Sequence, residues 1–119
     1  VTVAGTYDFR ADQGATFDRL VTWTDSDGEP INVSGWSARM VIRDRIGGTE
    51  LHTFSTDDGS IVLGGVSGTI RLLASAEGTK EWTWGAGVYD LALTDPGPNP
   101  PLVTVLLRGR FIVIPGVTL

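Results

Sequence analysis

The sequence predicts an all-β protein, an antiparallel β-sandwich of seven to eight strands with at most one short helical turn. Three observations predict it. Turn signals recur at short intervals, at Gln13-Gly14, Asp25-Ser26-Asp27-Gly28, Ser34-Gly35, Gly47-Gly48, Asp57-Asp58-Gly59, Gly64-Gly65, Gly85-Ala86-Gly87 and Asp95 to Pro101, a spacing that fits a sandwich or barrel. The segments between them are rich in Val, Ile, Thr, Phe, Tyr and Trp, which suit a pleated, half-buried surface. Sixteen Gly and six Pro in 119 residues leave little room for long helices.

In chain order, strands are expected at about 6–10, 16–25, 37–45, 50–55, 60–63, 69–73, 87–94 and 102–114. Gly64 to Gly68 reads as a hairpin loop: it lacks the Lys-Ser/Thr ending of a phosphate loop and leads into a strand. Only Ser75 to Lys80 has a helical look, with Ser75 as N-cap and Gly78 holding it to about one turn. Alternation then assigns faces, because successive strand side chains point to opposite sides. Ala38, Met40 and Ile42 face the core, leaving Arg39, Val41, Arg43 and Arg45 outward; Tyr89, Leu91 and Leu93 form a second inner row. In the segment after Thr16, Phe17, Val21 and Trp23 share a parity with Arg19 while Leu20 opposes them, and a bulge near Asp18 would reconcile the pattern.

The last strand is unusual. Its expected inner row is Val103, Val105, Leu107, Phe111 and Val113, and its outer row is Thr104, Leu106, Arg108, Arg110, Ile112 and Ile114, so both faces carry apolar residues. A solvated antiparallel strand alternates cleanly with polar ones. Either a loop of the same chain covers this face, or it is a subunit contact in which Leu106, Arg108, Arg110 and Ile112 take part.

At 12.7 kDa the chain reads as one domain, 1–119, with a single core. Lys and Arg total 9 against 14 Asp and Glu, a formal charge of −5 that argues against nucleic-acid phosphate or an anionic membrane surface as partner. No apolar run approaches the ~18–20 residues of a membrane span, and the first residues lack the basic-then-apolar layout of a signal peptide. Without Cys there is no disulfide, thiolate nucleophile or cysteine-ligated metal.

Catalytic, metal and cofactor sites are not expected. His52 is the only histidine and has no zinc-motif spacing around it. Asp25, Asp27 and Glu29 resemble part of a calcium loop but lack its further ligands and distal Glu, and Asp-Gly is a common hairpin turn. Asp57-Asp58-Gly59 reads the same way, and Glu77 and Glu81 read as solvated charge. Trp23 and Trp36 fit core or core-edge positions. Trp82 and Trp84 fall in a short connection before Gly85, where they either pack over one end of the sandwich or form an aromatic platform for a sugar or a partner chain.

Taken together, Gly14 to Phe17, Trp23-Thr24-Asp25, Asp27 to Trp36, Ala38 to Arg43, Gly68 to Leu72, Ser75-Ala76-Glu77, Gly87 to Leu91 and Leu107 to Phe111 resemble short virion proteins of tailed bacteriophages. The resemblance covers nearly the whole chain. Similar segments open the upper baseplate proteins of some siphophages, which implies an immunoglobulin-like β-sandwich acting as an assembly or attachment module. The motifs describe turns and core positions and contain no catalytic residue. The connection after Ser75 departs from the pattern, being longer and more aromatic through Trp82 and Trp84. The expectation is a non-enzymatic structural protein of the phage particle, made in the bacterial cytoplasm and located in the tail or baseplate. Its partners would be other virion proteins in a symmetric, multi-copy assembly. The alternatives are a capsid decoration protein and a carbohydrate-binding module for a host glycan.

Overall fold

The computed structural model describes residues 5–117. Among the described residues nine strands run β1 (Gly5–Thr6), β2 (Phe9–Asp12), β3 (Phe17–Thr22), β4 (Ser37–Arg43), β5 (Glu50–Ser55), β6 (Ile61–Leu63), β7 (Thr69–Ala74), β8 (Ala86–Asp95) and β9 (Leu102–Ile114), with a 3-10 turn at Gly65–Ser67 and one α-helix, α1 (Ala76–Lys80). The expected first strand is present as two short pieces, β1 and β2. In the large sheet the order is β1-β9-β8-β4-β5, with β2 also on β9; the small sheet is β3-β7-β6. The chain is an immunoglobulin-like β-sandwich.

Pairing is antiparallel with one correction: β1 and β2 run parallel to β9. The interruption between them sits at Gly109, where a Cβ would lie 2.1 Å from the Tyr7 carbonyl oxygen, so only glycine admits the N-terminal segment this close. Asp8 takes over part of the ladder there, its carboxylate accepting the Arg110 N–H at 3.0 Å. Buried Tyr89 donates its hydroxyl to the Tyr7 carbonyl, fastening the same segment from the inside.

The core fills with the expected inner rows. Met40, Ile42, Leu91 and Leu93 from the large sheet face Ile70 and Leu72 from the small one, all fully buried. Aromatic rings fill the middle, with Phe17 5.3 Å and Trp82 5.5 Å from Phe111 between ring centroids. Each buried side chain of this size contributes roughly 1.5–3 kcal/mol by leaving water. Helix α1 begins as expected, with the Ser75 hydroxyl accepting the Gly78 N–H at 3.0 Å. It docks through Thr79, whose buried hydroxyl accepts from Gly14 N–H and donates to the Ala15 carbonyl.

Two parity expectations change. No bulge interrupts β3, which pairs with β7 in unbroken register from Phe17 to Thr22. Arg19 shares the inner parity but remains exposed, its guanidinium 4.8 Å from the centre of the Phe17 ring and donating to the Arg10 carbonyl. A bulge lies instead in β9, where Leu91 pairs with Leu107 while the adjacent Ala92 pairs with Val105, so Leu106 is the extra residue; β5 has another at Leu51, between His52 opposite Ile42 and Glu50 opposite Arg43. Leu106 turns inward and keeps only 7% of its surface exposed. Upstream of it the alternation flips, which puts Val103 and Val105 on the outer face in place of the core.

Candidate functional site

The candidate surface is the outer face of the large sheet, and register alone assembles it. Cross-strand partners share a face, so Arg43 on β4 sits beside Val88 on β8, and Val88 beside Arg110 on β9. Val41 is likewise level with Asp90, and Asp90 with Arg108. Beyond β9, Thr6 pairs with Arg108 and Arg10 with Ile112. These residues surround an open groove of about 730 Å³ whose floor is Val41, Val88 and Gly109 and whose rim includes Arg43, Arg108 and Arg110. The β4–β5 hairpin overhangs it, presenting Ile46 at 92% exposure.

Charge is segregated onto this face. Arg10, Arg39, Arg43, Arg108 and Arg110 project from it against Asp12, Asp90 and Glu50, with Asp8 held on the Arg110 backbone N–H, five cations to four carboxylates on a chain whose total is −5. Arg39 lies 3.8 Å from Glu50. Arg43 donates to the Gly48 carbonyl, which braces the hairpin. Among the described residues, Arg108 and Arg110 form no ion pair within 4.0 Å, although Asp90 stands directly across from Arg108. Their guanidinium donors are therefore available to carboxylates from outside the chain.

Of the four residues expected at a contact, the structure places Arg108, Arg110 and Ile112 on the outer face and removes Leu106, which the bulge turns into the core. Arg43, Ile46 and Val88 complete the groove. Arg43 was legible as outward-facing, but linking it to Arg110 requires the β4-β8-β9 strand order, which no local pattern states.

Trp82 and Trp84 form no exposed platform. Trp82 is buried between Phe17, Phe54 and Phe111, and half-buried Trp84 packs at a tilt against Phe111 at 5.8 Å and against Trp82 at 5.9 Å. They close one end of the core. His52 points inward and packs 4.9 Å from the Trp82 ring, and this burial lowers its pKa below the usual 6.5 despite the nearby Asp58 and Glu50 carboxylates. Asp25 has a structural task, its Oδ1 accepting the N–H groups of Asp27 and Glu29 and shaping the turn. Asp58 does the same for Ser60. A second, smaller groove of about 480 Å³ beside Trp36 is lined by Val33, Thr56, Ile61 and Leu63 and has no charged side chain.

No family model matches the chain, and no curated protein matches it. Solved structures do. The fold is similar to the N-terminal domain of phage TP901-1 ORF48, with a TM-score of 0.54 at 11% identity over 90% of this chain and 84% of that one. The extracellular domain of the voltage-gated sodium channel beta4 subunit aligns over 98% of each chain with a TM-score of 0.46 at 14% identity. The chain shares its sandwich fold with a phage protein domain.

Proposed function

We propose that this protein is a non-enzymatic structural module of a tailed-phage particle, at the tail or baseplate, which joins neighbouring virion proteins through the outer face of its large sheet. The observation that supports this most directly is the pair of arginines, Arg108 and Arg110, without carboxylate partners among the described residues and beside an apolar groove floor. Apolar centres with arginine are the make-up of interface cores, because the guanidinium pairs with a carboxylate while its stem packs on apolar surface. The fold shared with a phage domain supports the setting. The packed indoles of Trp82 and Trp84 speak against a host-glycan platform built on them.

The test is a pair of measurements on Arg108→Glu and Ile112→Asp. Both side chains leave the core untouched, so thermal unfolding of the purified chain stays close to that of the parent. Incorporation into particles falls, by about 2 kcal/mol or more of binding free energy for a contact at the centre of an interface. Normal unfolding together with normal incorporation would remove the proposal. Locating the chain in density of the intact particle separates tail from capsid decoration.

A further inference from the structure

We infer that the occupant of the arginine groove is the acidic Leu102 end of a second copy of this chain, joined end to face. The inference rests on the assembly reading above and adds the identity of the partner.

One end of the sandwich and the outer face of the large sheet differ in a complementary way. Strand β9 has 13 residues and, at about 3.3 Å per residue, spans roughly 43 Å, nearly the full 45 Å length of the molecule. Its Leu102 end lies with the β3–β4 and β8–β9 connections, because Ser37 pairs with Thr94 and Asp95 with Leu102. This end carries Asp25, Asp27, Glu29 and Asp95, and neither connection contains a Lys or Arg. It also exposes Leu102 at 60% and Val103 at 64%, the latter because the Leu106 bulge flips the strand. The groove lies further along β9, around Arg108 and Arg110, and adds the exposed Ile46.

One end thus offers carboxylates with exposed apolar side chains, and the middle of the sheet face offers arginines that are unpaired among the described residues, beside an apolar floor. Six residues of extended strand put Leu102 and Arg108 about 20 Å apart, beyond the ~8 Å Debye length at physiological salt. The two surfaces do not neutralise one another within a molecule, but they can between molecules. Such a contact joins unlike surfaces, so repeating it closes a ring or extends a filament. The overall −5 charges of two copies repel, but at about 0.15 M salt that repulsion is screened over the distance between their centres, while groups in contact still attract.

The experiment is sedimentation of the full chain from about 10 μM to about 1 mM in roughly 0.15 M salt, a range chosen because one loop end in a groove buries less than the ~800 Å² per partner of a tight interface. Weight-average mass is expected to rise with concentration from that of the single chain and to fall back in about 1 M salt. Arg108→Glu with Arg110→Glu lowers the association constant by about tenfold or more, as does Asp27→Lys with Glu29→Lys. Mixing these two charge-reversed proteins, or combining all four changes in one chain, restores association because every groove then meets an end of opposite charge. Thermal unfolding of each variant confirms that it is folded. A mass that stays at the single-chain value up to about 1 mM, or one that neither pair of changes lowers, overturns the inference. If the parent chain remains monomeric while Arg108→Glu still blocks incorporation into particles, the assembly reading stands and the groove's partner is a different protein. Association in solution with normal incorporation of Arg108→Glu would remove the assembly reading and leave the self-contact.

Discussion

The outer faces of the two sheets differ in how they hold Arg71 on one and Arg108 and Arg110 on the other. On the small sheet, Arg71 reaches Asp18 on the adjacent strand with both Nε and Nη2, at 2.9 and 2.6 Å. That hydrogen-bonded pair holds the Asp18 carboxyl below its usual range and raises Arg71 further. On the large sheet, Asp90 stands directly opposite Arg108 yet makes no ion pair with it, and Asp8 spends one carboxylate oxygen on the Arg110 backbone N–H. Both faces also expose apolar side chains, Leu20 and Val62 flanking Arg71 on one, Ile46 beside the groove on the other. What distinguishes them is whether the cation is satisfied inside the chain. A satisfied face needs no partner; a face with available donors beside a groove has the form of a contact.

The largest expected effect tests where the outer face of β9 ends. Leu106 belongs to the core through the bulge, so Leu106→Ala should lower stability by about 2–5 kcal/mol, the usual range for a buried leucine. Ile112→Asp, six residues on and facing outward, should leave the urea midpoint near that of the parent. Chemical denaturation of both variants decides it. If Leu106→Ala is neutral and Ile112→Asp unfolds the chain, the two faces are assigned the wrong way round and the contrast with the small sheet fails.

Most of the fold was legible in the sequence because its signals are local. Ser75 caps α1, Gly78 keeps it short, and the Ala38-Met40-Ile42 and Tyr89-Leu91-Leu93 rows fall on the core side. The Leu106 bulge was not legible. Leu106 and Leu107 are adjacent leucines between apolar neighbours, so neither parity is penalised, and the choice is made by pairing with Leu91 and Ala92 on β8. The parallel pairing of β2 with β9 was equally hidden, since Phe9 meets Phe111 across about a hundred residues of chain. Trp82 left two readings open because a short aromatic connection looks alike whether it folds over the core or stands in solvent. The groove was half legible: Arg108 and Arg110 stood out along β9, while Arg43 joined them only once β8 was known to lie between β4 and β9.

A smaller effect separates the inner side of the large sheet from its outer side through pH. His52 faces inward against Trp82 and Phe54, and burial disfavours its charged form. Its folded pKa lies below the unfolded value of about 6.5, so the folded state binds the proton less readily. The stability it contributes is complete above the unfolded pKa and is lost as pH falls from there through the folded pKa. The urea midpoint should therefore decline between about pH 7 and pH 5, and His52→Phe should flatten that decline. A parent curve that stays level over the same interval, or a His52→Phe curve that still falls, would show that His52 is not the group responsible.

The smallest effect belongs to the satisfied arginine. Asp18 and Arg71 are solvent-exposed, and exposed pairs contribute little because water screens them and both side chains lose freedom. The sign is nevertheless defined. With its folded pKa depressed below 3.8, Asp18 contributes stability that is present above the unfolded pKa and lost as pH falls through the folded one. A double-mutant cycle with Asp18→Asn and Arg71→Gln should give a small favourable coupling at pH 7 that vanishes in strong acid. Asp18→Asn alone also leaves Arg71 as unpaired as Arg108, but it creates no groove and no apolar floor around it. That variant should sediment as the parent does at every concentration. If freeing Arg71 were enough to drive association, then an available arginine, without the groove formed by β4, β8 and β9, would be all that distinguishes the two faces.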